Sequence, residues 1–283
     1  MKTQRTLLKA IPGTATADGA GVKLTRLIGT AELDMFDPFL LLDCFESDQS
    51  EDYIGGFPEH PHRGFETVTY LLNGKMRHKD SAGNEGIIEP GGVQWMTAGR
   101  GILHSEMPEQ VQGLMKGFQL WVNLPAKAKM IAPAYQEYSP DSVPVEQHEN
   151  GSQIAVIAGK TDLGTTGPVL NPYISPTYLD ITLSESAMLQ QTLPATHNAF
   201  IYMIEGELSI GDANQAEQTL SAKTLGLLSQ GEQVEFKATS KGARFLLIAG
   251  EPLNEPVARG GPFVMNTKAE IVQAFADFHA GRF

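Results

Sequence analysis

Residues 66–74 read Glu66-Thr67-Val68-Thr69-Tyr70-Leu71-Leu72-Asn73-Gly74. The run is rich in β-branched and aromatic side chains, which suit a pleated strand. It stops at Asn-Gly, the dipeptide that most readily takes the positive φ angles of a hairpin turn. The same order of tyrosine, two apolar residues, one polar residue and glycine returns at Tyr202-Met203-Ile204-Glu205-Gly206. A second matched pair follows, Met96-Thr97-Ala98-Gly99 and Leu228-Ser229-Gln230-Gly231; Gly74 to Gly99 and Gly206 to Gly231 both span 25 residues. A shared interval of this kind marks a duplicated structural unit.

Working outward, short strand signals recur between turns. In the first half they cover Glu85–Glu89, Val93–Thr97 and Gly117–Asn123. In the second they cover Gln153–Ala158, Thr177–Leu183, Ala199–Ile204 and Arg244–Ile248. With no helical segments between them, they point to an all-β chain of antiparallel barrels rather than alternating β and α units. Its 283 residues suit two domains. The proline-bearing stretch around Pro125, Pro133, Pro140 and Pro144 places the boundary at 1–132 and 133–283. One helix is expected near the C-terminus: Thr267 and Glu270 form a capping box, Ile271, Phe275 and Phe278 recur at helical spacing, and Gly281 ends it.

Formal net charge is −12, and no basic stripe is present, so direct nucleic-acid binding and anionic membrane surfaces are not expected. No apolar run approaches the roughly 18 residues of a membrane helix. The single cysteine, Cys44, follows an apolar run and reads as a small buried hydrophobe. Lys9 and Pro12 interrupt the N-terminal apolar stretch before it could act as a signal peptide. A cytoplasmic protein is the expectation.

The chemistry concentrates in two short pairs, His60-Pro61-His62 and His104-Ser105-Glu106. Residues i and i+2 of a strand share a face, so each pair can aim two ligands into a barrel. Imidazole and carboxylate without thiolate suit iron(II), manganese, cobalt, nickel or zinc. Glu66 lies four residues after His62 and reads as an alternative ligand or, preferably, an acceptor that orients a ligand histidine. His78, beyond the Asn73-Gly74 turn, is expected to be exposed, and His148, in a polar stretch, to be solvated. Aligning the duplicated glycines places Thr192 and Pro194, then Phe236 and Ala238, at the positions of the four candidate ligands, so the second barrel is expected to be metal-free.

At these residues the chain resembles the pirin family of the cupin superfamily. The resemblance is carried by Gly55 to Thr67, by Gln94 to Glu106, by Gln119 to Leu124 and by Gly261 to Asn266. It implies two cupin (jelly-roll-type) β-barrels in tandem, with one mononuclear metal, iron(II), in the first. The family's three histidines and one glutamate fall on His60, His62, His104 and Glu106. The general cupin pattern instead takes a glutamate four residues after the second histidine, here Glu66, and a later histidine, here in the Gln94 region.

The resemblance implies either a quercetin 2,3-dioxygenase-type enzyme, acting on a flavonol and O2, or a non-catalytic, metal-dependent regulatory protein with a protein partner. In the enzyme, Glu106 is the expected proton acceptor. Phe57, Phe65 and Trp95 are candidate pocket-lining residues. A metal-assisted isomerase or hydrolase with zinc or manganese is a further alternative.

Overall fold

A computed structural model describes residues 2–211 and 218–283 of the chain. The chain folds into two compact β units, the tandem cupin-type architecture expected, followed by a C-terminal α-helix. The first unit comprises Thr14–Ser142 and Leu253–Phe283, the second Met1–Gly13 and Val143–Pro252. The division thus differs from the expected 1–132 and 133–283 in both tails. Leu7–Pro12 pairs with Thr224–Leu228 in the second unit's sheet. Ala134–Tyr138, expected beyond the boundary, pairs with Val93–Thr97 in the first. Strand pairing across more than 200 residues leaves no local trace in the chain.

The first unit has a seven-stranded sheet in the order Ala134–Tyr138, Val93–Thr97, Phe65–Asn73, Met115–Asn123, Phe39–Ser47, Val22–Ile28, Thr14–Asp18. A four-stranded sheet runs Phe57–His62, Ile102–Pro108, Met76–Asp80, Glu85–Ile88. Within both sheets neighbouring strands are antiparallel.

The stretch that decides the fold is a strand, Phe65–Asn73, and it turns at Gly74, φ 84°. That turn is not a paired hairpin. Phe65–Asn73 pairs with Met115–Asn123 and Val93–Thr97, whereas the strand after the turn, Met76–Asp80, pairs with Ile102–Pro108 and Glu85–Ile88 in the other sheet. Asn-Gly specifies the reversal, but distant partners specify which ladder the chain joins.

A second corner lies at Gly64, φ 86°, between Phe57–His62 and Phe65–Asn73. A Cβ there would stand 2.0 Å from the Val264 carbonyl oxygen. Only glycine satisfies both the positive φ and this close approach.

The described residues of the second unit form one sheet. Its path runs Leu7–Pro12, Thr224–Leu228, Asn198–Ile210, Gln233–Gly250, Thr177–Leu183, Gln153–Ala158, Val145–Gln147. Its core is apolar and includes Phe236 and Ala238.

The helix spans Lys268–His279 and has the expected capping box between Thr267 and Glu270. Ile271 and Ala274 bury against Phe263 and Met265. Asp277 fixes this helix to the first unit: it accepts from Arg63 Nη1 at 2.7 Å and is also paired with Arg282. Hydrogen bonds from Arg63 and Arg282 hold the Asp277 carboxyl well below the usual carboxylate range. A depressed folded-state pKa adds stability above the unfolded pKa, and the gain is lost as pH falls through the folded value. Asp277→Asn is therefore expected to lower the Tm at pH 7. The two proteins should converge as pH drops below the carboxylate range. Thermal melts by circular dichroism at both pH values check this; an undiminished gap in acid would remove the ion pair as its cause.

Candidate metal centre

Strand register assembles the site. Ile102–Pro108 is central in its sheet, with His104 opposite His60 on one neighbour and Asp80 on the other, and Glu106 opposite His78. The i, i+2 alternation lets His60 face with His62 and His104 with Glu106, although the register against Phe57–His62 shifts between His104 and Glu106.

His60, His62 and His104 form one cluster whose ligand atoms lie within 4.8 Å of one another. The His60 Nε2 stands 3.0 Å from the Nε2 of His62 and 3.0 Å from that of His104. Backbone carbonyls fix two of the tautomers. His60 Nδ1 donates to Pro58 O at 2.8 Å and His62 Nδ1 to Pro262 O at 3.3 Å. In that tautomer each ring turns its Nε2 to the cluster. Burial, with repulsion from His60, pushes the His62 ring down to about 3. Burial likewise holds His104 well below its ordinary value. Nε2 lone pairs facing each other at this distance can share one cation between them. Two imidazole nitrogens each about 2.1 Å from one ion, at a right angle, lie roughly 3.0 Å apart. The three rings fit a single metal ion.

Glu106 is outside that 4.8 Å cluster. Its side chain is buried, accepting from Thr69 Oγ1 at 2.6 Å on Oε1 and from Gln119 Nε2 at 2.6 Å on Oε2. These donors belong to a polar register row across the seven-stranded sheet: Arg26, Asp43, Gln119, Thr69, Gln94 and Glu137. Thr69 and Gln119 were not singled out in the sequence. Their signal was a polar residue at the inward parity of an otherwise apolar strand.

Glu66 does not share the face of His62. The corner at Gly64 separates the two strands, so parity does not carry across it. Glu66 pairs with Thr97 and accepts from its hydroxyl at 2.8 Å. By strand alternation Trp95, opposite Val68, lies on that same face of the sheet as Glu66, the reverse of the Thr69 face.

His78 is fully buried, contrary to the exposure expected from its position. Its Nε2 donates to Asp80 at 3.1 Å, and its ring stacks on Tyr135 with centroids 4.9 Å apart. The two residues alternate with the outward Arg77 and Lys79. His148 is half-buried and donates to Glu146.

A cavity of about 540 Å³ opens beside His60 and His62. Its aromatic walls are Phe57 and Trp121; Phe65 packs behind Trp121, with centroids 4.4 Å apart. Arg259, Gly261 and Pro262 close it from the C-terminal segment. Lys129 ties that segment down by donating to Gly64 O, Val264 O and Asn123 Oδ1. No helix among the described residues is long and apolar enough to cross a membrane.

Comparison with known proteins bears on this geometry. Residues 21–122 match the family model described as pirin, and residues 178–283 the model of the pirin C-terminal cupin domain. A pirin-like protein of Caulobacter vibrioides is 52% identical, over 99% of both chains. Mouse pirin is 46% identical over 93% of this chain and 88% of its own. A crystal structure of quercetin 2,3-dioxygenase from Acinetobacter baumannii superposes with a TM-score of 0.88 at 36% identity, covering 99% of this chain and 98% of that one.

Proposed function

We propose that this chain, which belongs to the pirin family, is a metal-dependent dioxygenase of the quercetin 2,3-dioxygenase type. Iron(II) would be held by His60, His62, His104 and Glu106. The observation that carries this reading is the convergence of three histidine Nε2 atoms, with His60 and His62 at the wall of an open, aromatic-lined cavity. A purely structural metal is enclosed by its ligands, whereas a catalytic one keeps a position open to substrate. The resemblance in fold and sequence to the Acinetobacter enzyme supports the reaction class.

When bound, the ion supplies Lewis acidity and the redox capacity to activate dioxygen. The protein supplies the rest. Carbonyls of Pro58 and Pro262 hold the rings of His60 and His62 in the ligating tautomer. Phe57 and Trp121 receive the flat face of a flavonol and keep water from the reacting atoms. Glu106, steadied by Thr69 and Gln119, takes the proton of the flavonol 3-hydroxyl on a carboxylate oxygen. The overall change adds both atoms of O2, opens the flavonol's central ring and releases one carbon monoxide.

The test is anaerobic reconstitution with iron(II), followed by quercetin and air. The expected result is loss of flavonol absorbance with one carbon monoxide per flavonol consumed. Absence of turnover with iron, manganese, cobalt and nickel alike would sink the dioxygenase reading and leave the metal-dependent interaction protein as the function.

A further inference from the structure

The cavity beside the histidines has two arginines among its lining residues, Arg26 and Arg259, and their guanidinium groups differ in one respect. The Nε/Nη2 edge of arginine is a flat two-pronged donor that matches a carboxylate. In Arg26 that edge is filled from within: Nε and Nη2 donate to the two oxygens of Asp43 at 2.8 and 2.7 Å, and Nη2 also meets Asp18 at 2.9 Å. Arg244, in the second unit, fills the same edge with Asp180, at 3.1 and 2.8 Å.

In Arg259 the edge is open. Only Nη1 is engaged, donating to the backbone oxygens of Asp34 at 3.3 Å and Leu40 at 3.1 Å. The Asp34 carboxylate stands 4.0 Å away on a side chain that is 86% exposed, where water and salt screen it. Among the described residues Nε and Nη2 of Arg259 take no acceptor, and neither is a buried unpartnered atom. The two carbonyl tethers on Nη1 limit how far the guanidinium can turn, so the open edge is held ready for a ligand.

We propose that Arg259 recognises the carboxylate of an aromatic acid whose ring lies along Phe57 and Trp121, between Arg259 and the histidines. The cellular ligand of this cavity is then an acidic aromatic compound, and an uncharged flavonol is a surrogate for it. This rests on reading the cavity as the substrate site. Because the test below measures binding and not turnover, its failure is distinct from a failure of the dioxygenase reading.

The probes are 2-naphthoate and the neutral, nearly isosteric 2-naphthamide, titrated calorimetrically into the metal-loaded and the metal-free protein. One charge-assisted, two-pronged contact should favour naphthoate by about tenfold or more, and the preference should persist without metal. Arg259→Gln is expected to bring the two affinities within about twofold, with naphthamide binding unchanged as the sign of an intact cavity. Arg259→Lys, which keeps the charge but not the edge, should retain part of the preference. Without any substitution, naphthoate but not naphthamide should protect Arg259 from phenylglyoxal, read by mass spectrometry. A preference that survives Arg259→Gln, one that appears only with metal, absent protection, or a wild-type protein that binds neither probe would each overturn the assignment.

Discussion

His62→Ala is expected to strip the protein of its metal. Ion content by atomic emission should fall from about one per chain to background after dialysis, a loss of affinity beyond the roughly 10–100-fold typical of a residue that merely orients a ligand. The expectation follows from the position of the ring. His62 is buried, its Nδ1–H is committed to Pro262 O, and its Nε2 lone pair faces that of His60 at 3.0 Å. Such lone pairs can share one cation, and His62→Ala removes one of them. The effect should appear on ion binding. In the wild type, metal at about a thousand times its Kd stabilises the folded chain by roughly 4 kcal/mol, read as a rise in Tm that His62→Ala should lack. His148→Ala is the control, since that ring is paired with Glu146 in the second unit. Undiminished metal in a His60→Ala, His62→Ala protein would place the ion elsewhere.

The residues of this cluster were legible because the relation that unites them is local. Two-residue spacing along a strand survives any uncertainty about how strands pair, so His60 with His62 and His104 with Glu106 could be read directly. Two-residue spacing loses its force where the chain turns or where the partner is remote. Glu66 would share the face of His62 only in a strand running straight through Gly64, and the corner there reverses its face. His78 and Asp80 alternate with Arg77 and Lys79, and a run of four polar residues looks exposed; only register against His104 and Glu106 reveals which half of the alternation points inward. Pro262 orients His62 across 200 residues. Arg259 reaches the cavity from the same segment, which a division of the chain at residue 132 would assign to the other unit. The strands Val93–Thr97, Gln153–Ala158 and Thr177–Leu183 kept the bounds expected of them. The Asn73-Gly74 reversal occurred, but it led into a different sheet. Local chemistry determines where a chain bends, and buried partners decide what it then meets.

Glu106→Gln should separate the metal's presence from the chemistry. The substitution preserves shape at a buried side chain that is 1% exposed. It exchanges one acceptor oxygen for a donor, and the surroundings can answer. The Thr69 hydroxyl can rotate to accept, and the Gln119 amide can turn its oxygen toward the new amide, releasing the Trp121 Nε1–H that it accepts at 3.4 Å. The expected cost to folding is therefore about 1 kcal/mol. Three histidine ligands remain, enough to retain an ion, so metal content should stay measurable. What the amide cannot do is accept the proton of a flavonol hydroxyl. Loss of a positioned base typically costs about 10²–10⁴ in rate. The variant should show that fall in kcat/KM with flavonol binding changed by no more than a few-fold. Flavonol decay and carbon monoxide release, set beside metal analysis of the same sample, distinguish the outcomes. Lost turnover with metal retained assigns Glu106 the proton, lost turnover with lost metal makes it chiefly a ligand, and wild-type turnover would remove it from the mechanism.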